Sequence, residues 1–329
     1  MYPSWRVHRY GTPEEALRLD AVTPREPGSA EATVAIEAVG LNFPDLLLCA
    51  GRYQERPPLP FSPGYEAAGR VVAAGPESTR RPGERVIVVP ELPNGALQTR
   101  ITVPDQELYP VPDDVDPVTA AVLHIAYQTA HVALHRRAAL QTGETVLVHG
   151  GAGGVGSAAI QLARAAGARV IATATGAAKV QDLGADVALD LTTTEDLAAT
   201  VREATGGRGA DVILDVVGGD LFDRSRRCVA FGGRIVIAGF AGGTIPQIPA
   251  NHVLLRNYSV VGVHLAAYRR EEPALLRAVH DELLALLASG QIAPRIHATL
   301  PFDRAPEGLK LLAERQVIGR VALTTAPRA

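Results

Sequence analysis

The densest concentration of chemistry in this chain is a run of seven small residues, Gly150-Gly151-Ala152-Gly153-Gly154-Val155-Gly156. Gly151, Gly153 and Gly156 satisfy the spacing G-x-G-x-x-G, a weak signal when it stands alone. Its setting strengthens it. Thr145-Val146-Leu147-Val148-His149 reads as a strand immediately before the run, and Ser157-Ala158-Ala159-Ile160-Gln161-Leu162-Ala163-Arg164 reads as a small-residue helix immediately after. Such a turn lets backbone approach a pyrophosphate closely, and the helix amino terminus offers unpaired N–H groups with partial positive charge. The chemistry expected is dinucleotide binding by Gly151, Gly153, Gly154, Val155 and Gly156. The plain alternative is a glycine-rich turn without a ligand.

The choice of nucleotide is read further on. An NAD-selective site places Asp or Glu about 20 residues after the glycines, on the ribose hydroxyls. Here that stretch is Arg169-Val170-Ile171-Ala172-Thr173-Ala174-Thr175-Gly176-Ala177-Ala178-Lys179, without a carboxylate. Thr173 and Thr175 offer hydroxyls, and Lys179 offers an ammonium to a 2′-phosphate that a carboxylate would repel. NADPH is expected over NADH; otherwise Lys179 is a surface helix lysine. No Ser/His/Asp or Cys/His pairing reads as a nucleophile system. Cys49 sits in the apolar segment Leu46-Leu47-Leu48-Cys49-Ala50 and reads as buried and inert.

Two kinds of domain must position these groups. Residues 31–39 alternate in the period-2 manner of a half-buried strand, and 69–74, 85–89 and 98–103 are further strands bracketed by turns. A helix follows at about 118–139. Strand candidates 145–149, 169–173, 187–190, 211–216, 234–238 and 259–263 then alternate with helices near 155–166, 177–183, 195–204 and 220–230. Apolar strands between helices imply a parallel sheet covered on both faces, in a doubly wound α/β layout. A helix over 273–289 starts at Pro273, ends at Gly290 and carries an apolar stripe of Leu275, Leu276, Val279, Leu283, Leu286 and Leu287. The expected division is 1–122, 123–265 and a segment 266–329 that returns to complete the first domain.

Composition excludes several classes. The chain has 329 residues, 47% hydrophobic and 20% charged, which is globular rather than disordered. A net charge of −3 gives no field for nucleic acid or an anionic membrane, and the runs Arg80-Arg81, Arg136-Arg137 and Arg269-Arg270 read as solvated faces. Two cysteines cannot build a disulfide framework or a cysteine-based zinc cluster. Without a secretory signal or a membrane-length apolar run, a cytoplasmic enzyme is expected.

Ordered motifs along nearly the whole chain then carry a resemblance. They are Gly40-Leu41-Asn42-Phe43-Pro44-Asp45 with Gly51-Arg52-Tyr53-Gln54, Pro57-Pro58-Leu59-Pro60-Phe61-Ser62-Pro63-Gly64-Tyr65-Glu66, Ala68-Gly69-Arg70-Val71, Ala126-Tyr127-Gln128-Thr129-Ala130, the glycine run, Gly206-Gly207-Arg208-Gly209-Ala210-Asp211-Val212 and Pro246-Gln247-Ile248-Pro249-Ala250-Asn251. Together they resemble the zinc-independent quinone oxidoreductases of the medium-chain dehydrogenase/reductase superfamily. The resemblance implies a GroES-like β-rich catalytic domain with an inserted Rossmann domain, an active cleft between them, and a homodimer joined through Rossmann sheet edges. Zinc-dependent relatives carry a cysteine three positions before the Asp and a Gly-His-Glu signature. This chain has Asn42 and Gly64-Tyr65-Glu66 instead, and neither Asn nor Tyr replaces thiolate or imidazole on zinc. No metal site is expected.

By the same resemblance, Asn42 lines the cleft and its amide could stabilise developing oxygen charge, or else it makes a local turn before Pro44. Tyr53 and Tyr65 could cap the acceptor or donate a hydrogen bond, or else pack. Thr129 could contact the carboxamide side of nicotinamide, or else bond its own helix backbone. Gly239 and Phe240, beyond strand 234–238, are expected to form cofactor-side wall, and Val263, in a neighbouring loop, to contact the cofactor. Arg320 is either a basic cofactor contact or part of a solvated tail, and Asp45 and Glu66 organise the first domain or the cleft floor. The implied activity is NADPH-dependent, metal-free hydride transfer to a quinone, whose conjugated ring delocalises the added charge. Alternatives are an enone or enoyl-thioester reductase and, in another class, a non-catalytic NADPH-binding regulatory or structural protein.

Overall fold

The structure is a computed structural model that describes residues 1–325. The amino-terminal part builds β1 (Tyr2–Val7), β2 (Leu17–Val22), β3 (Glu31–Leu41), β4 (Glu66–Ala74), β5 (Arg85–Val88), β6 (Arg100–Pro104) and β7 (Leu108–Pro110). The middle alternates helices with β8 (Thr145–Val148), β9 (Arg169–Ala174), β10 (Val187–Asp190), β11 (Ala210–Asp215), β12 (Val229–Ile237) and β13 (Ser259–Gly262). The chain ends with β14 (Ile296–Pro301), the helix Ala305–Ala313 and β15 (Arg320–Thr324).

These elements form two compact units, one made of Met1–Ile125 and the chain from Ile296 onward, the other of Ala126–Arg295. The first unit holds a seven-stranded sheet of order β14-β15-β3-β4-β5-β7, with β6 also on β3. Inward residues such as Val34, Ile36, Val39, Val71, Val86, Ile101 and Leu323 are almost fully buried and form its core. Register places the chemistry. Leu41 pairs with Val321 and Gly40 with Glu66, so Asn42, Glu66 and Arg320 arrive at one end of three neighbouring strands.

The second unit is a six-stranded parallel sheet of order β10-β9-β8-β11-β12-β13. Numbered within the unit this is 3-2-1-4-5-6, the dinucleotide-binding order, and its direction reverses between β8 and β11. Leu147, Ile171, Ile213 and Ile235 fill the sheet's core against Val201 and Phe222 from the covering helices.

Three expectations shift. Residues 266–295 stay with the second unit instead of returning to the first. The reason is the helix Pro273–Ala288, which buries Leu276, Val279 and Leu283 and receives a 2.8 Å bond from Gln128 Nε2 to Leu276 O. The expected helix 118–139 is α-helical over Pro117–His131 and π-helical over Val132–Arg137. The expected helices 177–183 and 220–230 shorten to Ala177–Val180 and Asp220–Ser225. Among the described residues no helix is long and apolar enough to cross a membrane.

Candidate active site

In the second unit the glycine turn follows β8 at the point where the sheet reverses. Its three motif glycines do different things. A side chain on Gly151 would meet Ile160, Ala172 and Leu183 at 3.1–3.3 Å, so this glycine admits close packing beneath the turn. A Cβ on Gly156 would lie 2.1 Å from Gly150 O, so no other residue fits. Gly153 faces only that same oxygen at 3.4 Å and stands open. It is also the N-cap of Gly154–Ala165, with no side-chain cap. The first-turn N–H groups of an α-helix have no intrahelical acceptor, so Gly154, Val155 and Gly156 present donors and the positive end of a 12-residue helix. That donor set suits a pyrophosphate.

The turn after β9 holds Thr175, exposed, and Lys179, half-buried on the single helical turn Ala177–Val180. Sequence reading overlooks a neighbour here. Asp190 ends β10, and its Oδ1 accepts the Gly176 N–H at 2.8 Å, the Thr192 N–H at 2.9 Å and the Thr192 hydroxyl at 2.7 Å. Bonds from the Thr192 backbone and hydroxyl, then from Gly176, hold this carboxyl below its usual range. It therefore braces the turn that carries Lys179. The one available signal is an Asp at a strand end followed by threonines.

Below the glycine turn lies a buried relay that the sequence also conceals. Ser225 Oγ donates to Leu221 O at 2.7 Å, so at 2.7 Å it accepts from His149 Nε2–H. His149 Nδ1 then accepts from the Thr173 hydroxyl at 2.9 Å. Burial, with Asp215 opposing it, pushes His149 down to about 4, so the imidazole is neutral. With Ser225 Oγ spent on backbone, this His–Ser pair ties β8, β9 and the Asp220–Ser225 helix together and is no nucleophile. Asp215 at the end of β11 accepts the Val217 and Gly218 N–H groups through Oδ1, and its Oδ2 is buried without a partner.

Of the remaining expected cofactor residues, Gly239, Phe240 and Val263 follow β12 and β13, on the same carboxyl-end side of the sheet as the glycine turn. Val263 N–H bonds Ile237 O at 3.0 Å. The Phe240 ring is 37% exposed and lies against Gly218, whose added Cβ would meet it at 3.0 Å. Thr129 is half-buried on the Pro117–His131 helix.

The first unit gathers its own cluster. Asn42 Nδ2 donates to Gly40 O at 3.2 Å and Glu66 Oε1 at 3.1 Å, and Asn42 Oδ1 accepts Arg320 Nη1 at 2.8 Å. Arg320 Nη2 also bonds Glu66 Oε1, and Glu66 Oε2 accepts the Ile125 N–H at 2.8 Å. Burial pushes the Glu66 carboxyl up and Arg320 opposes it. This network corrects two expectations. Both Asn42 amide hydrogens are engaged inside the protein, one by Gly40 O and one by Glu66 Oε1, and are not left open for a substrate oxygen. Arg320 is neither a solvated tail residue nor an open cationic contact, because it is 6% exposed and committed to Asn42 and Glu66.

Asp45 stands at the third position of the helix Phe43–Cys49. Its Oδ2 accepts the Asn42 N–H at 2.8 Å, and its Oδ1 accepts the Gly64 N–H at 3.0 Å. Gly64 has φ +106°, which only glycine adopts without strain, and that bend delivers Tyr65 next to the cluster. The Tyr53 and Tyr65 rings meet edge to face, 5.9 Å between centroids. Burial pushes Tyr53 up to about 12 and Tyr65 further up, so both phenols keep their protons. The Tyr65 hydroxyl is buried and makes no close hydrogen bond, interacting only weakly with the neighbouring Tyr53 phenol. Cys49 is fully buried and its thiol is pushed up to about 12 by burial, so it is inert. Among the described residues no three His, Cys, Asp or Glu side chains gather as a metal site would need.

Comparison with known proteins adds lineage. Residues 28–113 match the alcohol dehydrogenase GroES-like domain, and residues 154–281 match the zinc-binding dehydrogenase domain. A quinone oxidoreductase-like protein 2 homolog from Nematostella vectensis is 38% identical over 315 residues, covering 93% of this chain and 85% of its own. A mycobacterial protein solved in complex with NADPH superposes with a TM-score of 0.90 at 32% identity, over 98% of this chain and all of that one. The CurF ER cyclopropanase of a curacin A biosynthetic pathway superposes with a TM-score of 0.89 at 28% identity, covering 98% and 99%. The GroES-like and zinc-binding-dehydrogenase matches, with this near-full-length identity, place the chain in the quinone oxidoreductase-like family of the medium-chain dehydrogenase/reductase superfamily, a family of oxidoreductases.

Proposed function

We propose that this protein is an NADPH-dependent reductase of quinones that works without a metal ion. The observation that carries the reading is the uncapped glycine turn at the reversal point of a 3-2-1-4-5-6 sheet. Bound there, NADPH supplies a hydride from nicotinamide C4. The N–H groups of Gly154, Val155 and Gly156 hold the pyrophosphate, with Gly151 and Gly153 leaving room for it. Lys179, beside Thr175, pairs with the 2′-phosphate while Asp190 fixes their turn. Gly239, Phe240, Val263 and Thr129 bound the nicotinamide side.

The acceptor chemistry belongs to Tyr65 and Tyr53. A quinone needs no Lewis acid, because its conjugated ring accepts hydride and spreads the charge. A neutral phenol that donates one hydrogen bond to the reduced oxygen is sufficient electrostatic help, and the donor is Tyr65, whose protonated hydroxyl makes no close hydrogen bond and interacts with the neighbouring Tyr53 phenol. Tyr53 holds the Tyr65 ring by its edge. Asn42, Glu66, Asp45 and Arg320 act behind them as positioning residues. Asn42 and Tyr65, at the positions where zinc-dependent relatives carry cysteine and histidine, support the metal-free reading.

The active form is a homodimer. Strand β13 ends the six-stranded sheet, and nearby lie Leu254 (76% exposed), Leu255 (75%) and Phe231 (82%), an apolar surface of the kind that marks association.

Stopped-flow oxidation of NADPH by simple quinones tests the reading. Rapid, metal-independent loss of the NADPH absorbance that chelators leave unchanged is expected, and no turnover with any quinone would overturn it. The likeness to a cyclopropanase favours a second reading, an enone or enoyl-thioester acceptor that takes hydride at its β carbon. Faster turnover of such acceptors than of quinones would select it.

A further inference from the structure

At the reversal of the parallel sheet, β8 and β11 diverge where the nucleotide turn begins. His149 N–H still reaches Leu214 O at 3.0 Å, and the residues that follow, Gly150 and Asp215, lead into separate loops. The loop of residues 216–219 lies against the nucleotide turn. A Cβ added to Gly150, which has φ +63°, would come 3.0 Å from a Val216 methyl and 3.5 Å from a Val217 methyl. The same loop meets the segment after β12. Val216 O and Val217 O accept the Ala241 and Gly242 N–H groups at 3.0 and 2.9 Å, and Gly219 N–H donates to Thr244 O at 3.0 Å. A Cβ on Gly218 would stand 2.8 Å from Thr244 O and 3.0 Å from the Phe240 ring. Residues 216–219 are therefore a wedge that touches both the pyrophosphate turn and the Phe240 wall.

The wedge has little stiffness of its own. Gly218 and Gly219 are consecutive and have φ +72° and +58°, and glycine gives up more backbone freedom on ordering than any other residue. Asp215 supplies the restraint. It is fully buried, and its Oδ1 accepts both the Val217 N–H at 2.8 Å and the Gly218 N–H at 2.9 Å. Its backbone oxygen takes the Ala238 N–H at 2.8 Å, which fixes the same residue to the strand that leads to Phe240. Oδ2 has no hydrogen-bond partner, so one side-chain oxygen does the holding. Without that oxygen two N–H groups lose their acceptor, one of them on the buried Gly218, and a buried donor left unpaired drives the loop to another shape.

We propose that Asp215 is the positioning residue of the nicotinamide half of the cofactor site, holding residues 216–219 in the shape that sets the spacing between the glycine turn and Phe240. This role rests on the reading of Phe240 as nicotinamide wall and is independent of the acceptor. Asp215 acts through backbone and touches no ligand. Its loss should loosen the nicotinamide end of bound NADPH and leave the adenosine end, at Thr175 and Lys179, in place.

Two probes separate those ends: NADPH itself, and adenosine 2′,5′-bisphosphate, which has no nicotinamide. Asp215→Ala should weaken NADPH about tenfold, the worth of one hydrogen bond, and leave the bisphosphate within about twofold. The anisotropy of nicotinamide fluorescence at saturating NADPH should fall with it. Asp215→Asn keeps an accepting oxygen and should restore both readouts. Gly218→Ala leaves Asp215 intact but drives a Cβ toward Phe240 and Thr244 O. It should reproduce the selective loss, and it carries the test if Asp215→Ala does not fold. Equal weakening of both probes, or NADPH held as tightly and rigidly as in wild type, would overturn the proposal. Phe240→Ala checks the reading underneath. If that variant binds NADPH normally, the wall and the role of Asp215 fall together; if it alone weakens NADPH, only the role of Asp215 falls.

Discussion

Asn42 and Glu66 meet at 3.1 Å, the amide Nδ2 donating to Oε1 across 24 positions of sequence. Arg320 completes the group by bonding both. Because Glu66 is fully buried and Arg320 nearly so, the carboxylate depends on the guanidinium. Removing one partner of a buried pair costs about 3–5 kcal/mol, whereas removing both is often nearly neutral. Arg320→Leu should therefore lower the urea midpoint sharply, and Glu66→Gln with Arg320→Leu should recover most of it. Equal losses in the single and double variants would show that the pair is not coupled.

Tyr65→Phe separates catalysis from stability. Its hydroxyl is buried and makes no close hydrogen bond beyond a weak interaction with the Tyr53 phenol, so its removal relieves part of the cost of about 1–3 kcal/mol that an unsatisfied group carries. The variant should melt at or above the wild-type temperature and lose about 100- to 1000-fold in kcat. A variant that is less stable yet equally active would reverse both assignments.

How much of this was legible follows from distance along the chain. The glycine turn was, because Gly151, Gly153 and Gly156 meet their constraints within seven residues of one another. Strand alternation likewise marked the parallel sheet, since each buried strand carries its own apolar run. Asp190 was hidden because only the pairing of β9 with β10 brings it beside Gly176. Arg320 and Asn42 are 278 residues apart, and their contact exists only through the β3–β15 register. The end of the second unit was obscure for a similar reason. A stripe of Leu276, Val279 and Leu283 says that the helix is half-buried, not which unit covers it.

Lys179 is the test of nucleotide choice. A charge-assisted bond to phosphate is worth about 1.5–3 kcal/mol, so Lys179→Ala should weaken NADPH binding by about 10- to 100-fold and leave NADH nearly unchanged. Equal effects on both, measured by fluorescence titration, would show that the ammonium does not read the 2′-phosphate. Asp190→Asn should weaken both nucleotides, because it loosens the turn and not one contact.

Leu254 and Leu255 test the dimer. Both are about three-quarters exposed on the short helix Ala250–Arg256, and burying two leucines against a second copy is worth about 3–6 kcal/mol. Leu254→Glu with Leu255→Glu should shift the light-scattering mass from dimer to monomer without altering the circular dichroism. An unchanged mass would mean that the association surface lies elsewhere.

Asp45 makes stability depend on pH in an unusual direction. Burial raises its carboxyl to about 7, against the bonds from Asn42 and Gly64 that lower it. The unfolded chain holds this group near about 3.9. Between those values the native state binds more protons than the unfolded one, so stability falls as pH rises. The contribution is complete below about pH 4 and is lost as pH climbs through about 7. A gap of about three pKa units sets the ceiling at about 4 kcal/mol. Asp45→Asn removes the titration but offers one oxygen where Asp45 uses two, for the Asn42 and Gly64 N–H groups. The variant should be less stable than wild type by about 1 kcal/mol at about pH 5, where the wild-type carboxyl is protonated. It should match or exceed wild type at about pH 8.5, where the wild-type charge is buried. Urea midpoints for both proteins across that range should cross, and parallel curves would place the titrating group elsewhere.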